Sequence, residues 1–272
     1  MTDCETCKIH FKNYDEFKRH MEQHITLNKY QDTTLDNFEK IEGVPKVVYI
    51  CWFGGYEQNI PYMCENRYAA FLSLIKHINI PICLITNNNY LSFVKEEYPL
   101  HPAFEYLSGV HKSDYFRCYM LQHYGGGYHD VKPRNSGWED CWNDDNWLSN
   151  DSIWMFGRRE KNKGAIGDRS IRTKFSKLAT MGWIICKPNT PYTKELLSSI
   201  NKILDDKMNG LKKFPGYESK GYYYDNPFNP APENGYPLRW LEILGEIFHP
   251  LMLKYTEHIK FGLPDALKKR YK

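Results

Sequence analysis

The chain has 272 residues, enough for a sizeable core and for one large domain with a small appendage. Hydrophobic residues at 42% and charged residues at 25% exclude a disordered polyelectrolyte, and a formal charge of +3 is too small to coat a polyanion. The 15% aromatic share, with 21 Tyr and 7 Trp, suits a packed core and also a protein that holds flat polar ligands such as sugars or bases.

The first segment carries a metal-binding spacing. Cys4 and Cys7 are followed by His20 and His24 in the pattern C-x2-C-x12-H-x3-H, and Phe11 and Phe17 fall where a ββα zinc finger places its small core. Two thiolates and two imidazoles suit a closed tetrahedral Zn²⁺ site, and so short a segment folds on the metal's binding energy. A lone finger spans only about three base pairs. Its four basic residues (Lys8, Lys12, Lys18, Arg19) are outnumbered by five acidic ones (Asp3, Glu5, Asp15, Glu16, Glu22), which argues against DNA and for a protein partner or a stabilising appendage. The other six cysteines stand singly among apolar or aromatic residues and read as buried reduced thiols. No run approaches the roughly 18 apolar residues of a spanning helix, and MTDCETCKIH lacks a signal-peptide centre. The expectation is a soluble, cytoplasmic protein without a membrane span.

Weak apolar periodicity marks residues 29–44 as a linker between a finger at 1–28 and a large domain at 45–272. KVVYICWF (Lys46 to Phe53) is a continuous apolar run of the buried-strand kind, ending at Gly54-Gly55. MCENRYAAFLSLIKHI (Met63 to Ile78) has helical spacing, IPICLITN (Ile80 to Asn87) reads as a second buried strand, and a further helix is expected near Tyr90 to Glu97. Alternating strands and helices imply a parallel sheet with ligands at the carboxyl ends of its strands, here near Trp52, Gly54, Thr86 and Asn87.

HKSDYFRCYMLQHYGGGYHDVKP (His111 to Pro133) follows. His111 to Tyr124 reads as a buried helix with Asp114 and Arg117 on one face, either as a structural ion pair or as contacts to a sugar hydroxyl and a phosphate. Gly125-Gly126-Gly127 ends the helix. In the strand beyond it Tyr128, Asp130 and Lys132 share a face opposite His129 and Val131, and Pro133 stops the ladder.

This stretch resembles the S-D-x-x-R, L-x-x-Y-G-G-x-Y-x-D-x-D signature of the glycosyltransferases with a sugar-binding motif, among them capsular polysaccharide synthesis proteins and the initiating α-1,6-mannosyltransferases of yeast. The likeness spans about Lys46 to His249, more loosely in MGWIICKPNTPYTKELL (Met181 to Leu197). It implies an α/β, GT-A-like nucleotide-diphospho-sugar transferase fold with a Rossmann-like sheet, here preceded by the finger. It also implies a nucleotide-diphosphate sugar donor, a glycan or other hydroxyl acceptor, and Mn²⁺ or Mg²⁺ as cofactor. By that likeness Asp114 and Arg117 contact the sugar nucleotide and Asp130 is the first carboxylate of D-x-D, but Lys132 stands where the second belongs. Two arrangements answer this: Asp130 alone ligates a metal, or Lys132 neutralises the diphosphate directly. The first is favoured, since Asp130 has no other evident use.

Downstream, WEDCWNDDNW (Trp138 to Trp147) is either an acceptor-stacking platform or a packed loop. Residues Phe156 to Phe175, basic and glycine-bearing, are either a lid over phosphates or a solvated charge run. Tyr236 to Pro250 reads as an amphipathic helix in which His249 is either a returning metal ligand or a packing histidine. The alternative to an enzyme is a zinc-finger binding protein with a catalytically degenerate sugar-nucleotide fold. A finger joined to such a domain would suit a bacterial capsule enzyme or, better, a large DNA virus that builds glycans in the host cytoplasm.

Overall fold

The computed structural model describes residues 35, 38–53, 65–143, 145–216 and 235–267. Cys4, Cys7, His20, His24 and Gly54 lie outside the described residues. A small hairpin, β1 (Lys40–Ile41) and β2 (Val44–Pro45), leads into β3 (Val48–Trp52). Helix α1 (Glu65–His77) crosses to β4 (Ile82–Thr86), α2 (Gly109–His123) leads into β5 (Gly126–His129), and two single-turn helices follow, α3 (Glu139–Trp142) and α4 (Asp145–Leu148). Then come β6 (Met155–Arg159), β7 (Ala179–Cys186), the long helix α5 (Pro191–Lys213), α6 (Gly245–Lys254) and β8 (Ile259–Phe261).

Six strands form one sheet in the order β4-β3-β5-β7-β6-β8. Its first half is parallel as expected, with β3 paired to β4 on one side and β5 on the other. The second half corrects the all-parallel expectation: β7 runs antiparallel to both β5 and β6, and only β8 returns parallel to β6. The sheet carries a core on each face. Val48, Ile50, Ile82 and Leu84 meet Phe71, Leu74 and Ile75 of α1 together with Trp138, Trp142 and Trp147. The alternate residues Tyr49, Cys51, Cys83 and Ile85 meet Tyr115, Phe116, Tyr119 and Met120 of α2 and, beyond them, Leu196, Ile200 and Leu204 of α5. Because side chains alternate along a strand, the continuous apolar runs serve both cores.

Several local expectations change. Residues 90–97 form only a 3-10 turn, Tyr90–Phe93. The Asn89 side chain accepts from Thr86 N–H at 2.7 Å and donates to Leu84 C=O at 2.9 Å, and Ser92 Oγ donates back to Asn89 C=O, so side chains take up groups that a helix would use. The helix expected from Tyr236 begins only at Gly245. Tyr236 is buried instead as an anchor, its hydroxyl accepting from Ser108 N–H at 3.2 Å and bonded to His111 Nδ1 at 2.8 Å. Trp138, Trp142 and Trp147 are fully buried, which makes that segment packed core and leaves none of the three rings as an acceptor platform. The linker expected up to residue 44 contains the β1–β2 hairpin, and Leu35 and Phe38 join the main core. The five described cysteines outside the first segment, Cys51, Cys83, Cys118, Cys141 and Cys186, are buried free thiols. No helix among the described residues is long and apolar enough to cross a membrane.

Gly125 is the hinge that turns α2 into β5. It has φ +69°, and a Cβ there would lie 2.6 Å from Pro188 Cδ and 2.9 Å from Cys186 C=O. We expect Gly125→Ala to cost about 2 kcal/mol or more, from left-handed strain plus the clash, read as a lower urea midpoint with unchanged slope.

Candidate active site

The chain passes from β3 through α1 to β4 on one flank of β3, then through α2 to β5 on the other flank. The carboxyl ends of β3 and β5 therefore border the point where the winding reverses, the place where open α/β sheets bind ligands. Trp52 and Thr86 stand opposite each other at the ends of β3 and β4. Thr86 is buried and occupied with the Asn89 turn, with Asn88 N–H donating to its hydroxyl, while Asn87 is half-buried just beyond.

Asp114 and Arg117 come from α2. Ser108 caps that helix by accepting from His111 N–H, and nearly all of its circumference is buried. One turn apart, Arg117 Nη2 binds Asp114 Oδ1. Arg117 also donates from Nη1 to Met181 C=O at 3.2 Å and reaches Asp130 Oδ1 at 3.4 Å, with its guanidinium 4.3 Å from the Tyr128 ring centre. Asp130 follows β5 directly, its N–H bonded to Gly182 C=O at 2.7 Å. Its Oδ1 accepts from the Tyr128 hydroxyl at 2.9 Å, and its Oδ2 lies 2.9 Å from Lys132 Nζ. Strand β5 ends at His129, short of the expected extended run, and Lys132 N–H bonds back to Asp130 C=O at 2.7 Å, so a tight turn rather than strand alternation places Lys132. Tyr128, Asp130 and Lys132 converge on one side with Arg117, while His129, on the other, is fully buried and stacks on Trp183.

Electrostatics follow from this arrangement. Burial would raise the Asp130 pKa, but Lys132 and Arg117 outweigh it and hold the carboxyl well below its ordinary 3.8. Asp114 goes the other way: burial pushes it up to about 6 against the pull of Arg117. Burial lowers His129 to about 3 and His249 to about 4, leaving both neutral at pH 7. His249 is fully buried on α6, where Nδ1 accepts from Gly167 N–H at 3.4 Å, and its ring makes no hydrogen bond to Asp130. The basic segment after Phe156 forms β6 and two 3-10 turns, with Arg158 buried against Glu160 and Asp265.

A divalent ion does not fit Asp130 as it is held. Both carboxylate oxygens are already engaged, two of the partners are cations, and among the described residues no group of three His, Cys, Asp or Glu could hold a metal. Asp130 does have another use: it is the counter-ion of Lys132 and Arg117.

Gly182 is the residue the sequence did not single out. A Cβ there would come within 2.9 Å of Asp130 Oδ2 and 3.0 Å of Lys132 Nζ, so the ion pair rests on bare backbone of β7. Beside it, Trp183 lies beneath the ammonium, with its ring centre 5.1 Å from Lys132 Nζ. The segment containing Gly182 belongs to the looser part of the resemblance, and nothing local distinguishes it from a glycine in an ordinary strand.

The mixed six-stranded sheet with helices on both faces is an α/β architecture of the Rossmann-like, GT-A kind, and the charged cluster lies at its reversal point. Residues 5–167, more than half of the chain, match the family model for capsular polysaccharide synthesis proteins, and the chain belongs to that family. The match begins inside the segment that has the finger spacing and ends before β7. No curated protein matches the chain significantly.

The opposite shifts give a pH test. The folded-state pKa of Asp130 lies well below 3.8, so its stabilisation is present above 3.8 and is lost progressively as pH falls from there through the folded-state value. That of Asp114 is raised, so its contribution is favourable in acid and is lost as pH rises from 3.8 through about 6. Asp130→Asn should be less stable than the native chain by on the order of 2 kcal/mol at neutral pH. The gap should narrow below about pH 4 in urea titrations, and a gap that stays constant to about pH 3 would contradict the assignment.

Proposed function

We propose that the protein is a glycosyltransferase that moves a monosaccharide from a nucleotide-diphosphate sugar to a hydroxyl of a glycan acceptor. The observation that carries this reading is the cluster of Asp114, Arg117, Asp130 and Lys132 at the reversal point of the sheet, in a chain of the capsular polysaccharide synthesis family. The nucleotide lies over the ends of β3 and β4, near Trp52, Thr86 and Asn87, and the diphosphate turns toward Lys132. The Tyr128 hydroxyl and Arg117 fix the Asp130 carboxylate, and Asp114 fixes Arg117. In the transfer, the bond from the anomeric carbon to the terminal phosphate oxygen breaks with its electron pair passing to that oxygen. A new bond forms from the same carbon to the acceptor hydroxyl oxygen, whose proton is released to water. The charge that develops on the diphosphate is what positive groups in the site must stabilise.

We further propose that Cys4, Cys7, His20 and His24 bind one structural Zn²⁺ and that this segment contacts a protein partner; the spacing and the charge balance support it. Elemental analysis of the purified chain should give about one zinc per chain, falling to near zero in the Cys4→Ser, Cys7→Ser double variant.

The enzymatic reading is tested with a panel of nucleotide sugars, followed by release of nucleoside diphosphate with glycan acceptors and with water. One donor should be turned over, and Asp130→Ala should lower that turnover by about 100- to 1000-fold while the variant stays folded by circular dichroism. A panel in which no donor binds or reacts would rule the reading out in favour of a sugar-nucleotide fold without chemistry.

A further inference from the structure

We infer that this site acts without a divalent metal, the Lys132 ammonium itself receiving the leaving diphosphate and Asp130 serving as the group that positions that ammonium. The inference rests on the glycosyltransferase reading and decides a question that reading leaves open. Four observations support it.

First, both oxygens of Asp130 are already engaged as arranged: Oδ2 holds Lys132 Nζ at 2.9 Å, and Oδ1 holds the Tyr128 hydroxyl at 2.9 Å and Arg117 at 3.4 Å. Second, charges in the cluster balance by residue, two carboxylates (Asp114, Asp130) against two cations (Arg117, Lys132). A dication added there would sit beside unit positive charges, whereas an entering diphosphate meets a cation. Third, the ion pair lies directly over the bare backbone of β7, where a Cβ at Gly182 would sit 2.9 Å from Asp130 Oδ2 and 3.0 Å from Lys132 Nζ. Fourth, the two cations differ in availability. Arg117 is only 10% exposed and is committed to Asp114, to Asp130 and to the Met181 carbonyl. Lys132 is 24% exposed above the Trp183 ring, so its ammonium is the one that an arriving phosphate reaches. A phosphate oxygen that reaches the ammonium would form a charge-assisted hydrogen bond with it. As the anomeric bond breaks and its electron pair settles on the phosphate oxygen, that charge-assisted hydrogen bond strengthens without a change in the protonation of Lys132.

The test uses the full-length chain in buffer freed of Mn²⁺ and Mg²⁺ by a chelating resin, which leaves tightly held zinc in place. Binding of UDP, GDP and the reactive donor is measured by calorimetry before and after Mn²⁺ is added. The inference expects Kd and turnover to change by less than about twofold on adding Mn²⁺. Lys132→Ala should weaken diphosphate binding by about tenfold or more, and Lys132→Arg should recover much of it, still without metal. Lys132→Asp, which completes the D-x-D pattern, should acquire bound Mn²⁺ visible by electron paramagnetic resonance in the presence of UDP, a signal absent from the native chain. Binding that appears in the native chain only with Mn²⁺ overturns the inference and leaves the glycosyltransferase reading intact. An absence of nucleotide binding with and without Mn²⁺ overturns both.

Discussion

The Asp130 carboxylate is held between two cations and a phenol, and the other functional features of the molecule are arranged around that balance. A carboxylate taken out of water needs charged partners or hydrogen bonds for each oxygen, and removing one partner leaves an uncompensated charge. Here the partners come from separate elements: Arg117 from α2, Tyr128 from β5 and Lys132 from the segment just past β5. Arg117 in turn binds the Met181 carbonyl of β7, and Asp130 N–H binds the Gly182 carbonyl next to it. The charge balance therefore ties one helix and two antiparallel neighbouring strands to a single point.

That point coincides with the reversal in winding. Helix α2 is buried around most of its surface because it lies against the sheet on one side and α5 on the other, so Asp114 and Arg117 are placed by packing. Such packing makes a polar pair costly unless it is satisfied, and the pair is satisfied by mutual contact and by the end of β5. The hinge at Gly125 brings β5 back along the sheet after only two residues beyond the helix, which keeps the cluster compact. Under the proposed function, a diphosphate would meet there a cation whose counter-ion is already in place, so little reorganisation would accompany charge development.

The antiparallel half of the sheet is more than a continuation. Strand β7 provides the floor of the cluster through the two backbone carbonyls, the bare Gly182 and the Trp183 ring under Lys132. These residues lie beyond the stretch that matches the family model, so the floor comes from a part of the chain outside that match. The buried histidines have a different character. His129 and His249 are kept neutral by burial, and both serve the cores on which the charged cluster rests.

The buried strands, the helix before the three glycines and the placing of Tyr128 and Asp130 on one face were legible in the amino-acid order alone. Each of these follows from a local rule: runs of apolar residues, helical spacing, and strict alternation along an extended chain. The antiparallel run of β7 beside β5, the interior position of the tryptophans of residues 138–147 and the seat of Gly182 under the ion pair emerge on folding. Folding likewise turned the expected helices at 90–97 and 236–244 into a 3-10 turn and a buried Tyr236 anchor. Those outcomes depend on partners far away in the chain, Asp130 with Gly182 and Tyr236 with Ser108 and His111, and no local periodicity encodes which distant backbone a side chain will meet. The employment of Asp130 belongs to the same class. Its spacing to Lys132 was visible in the sequence, but the three donors that occupy its oxygens were brought together only by folding.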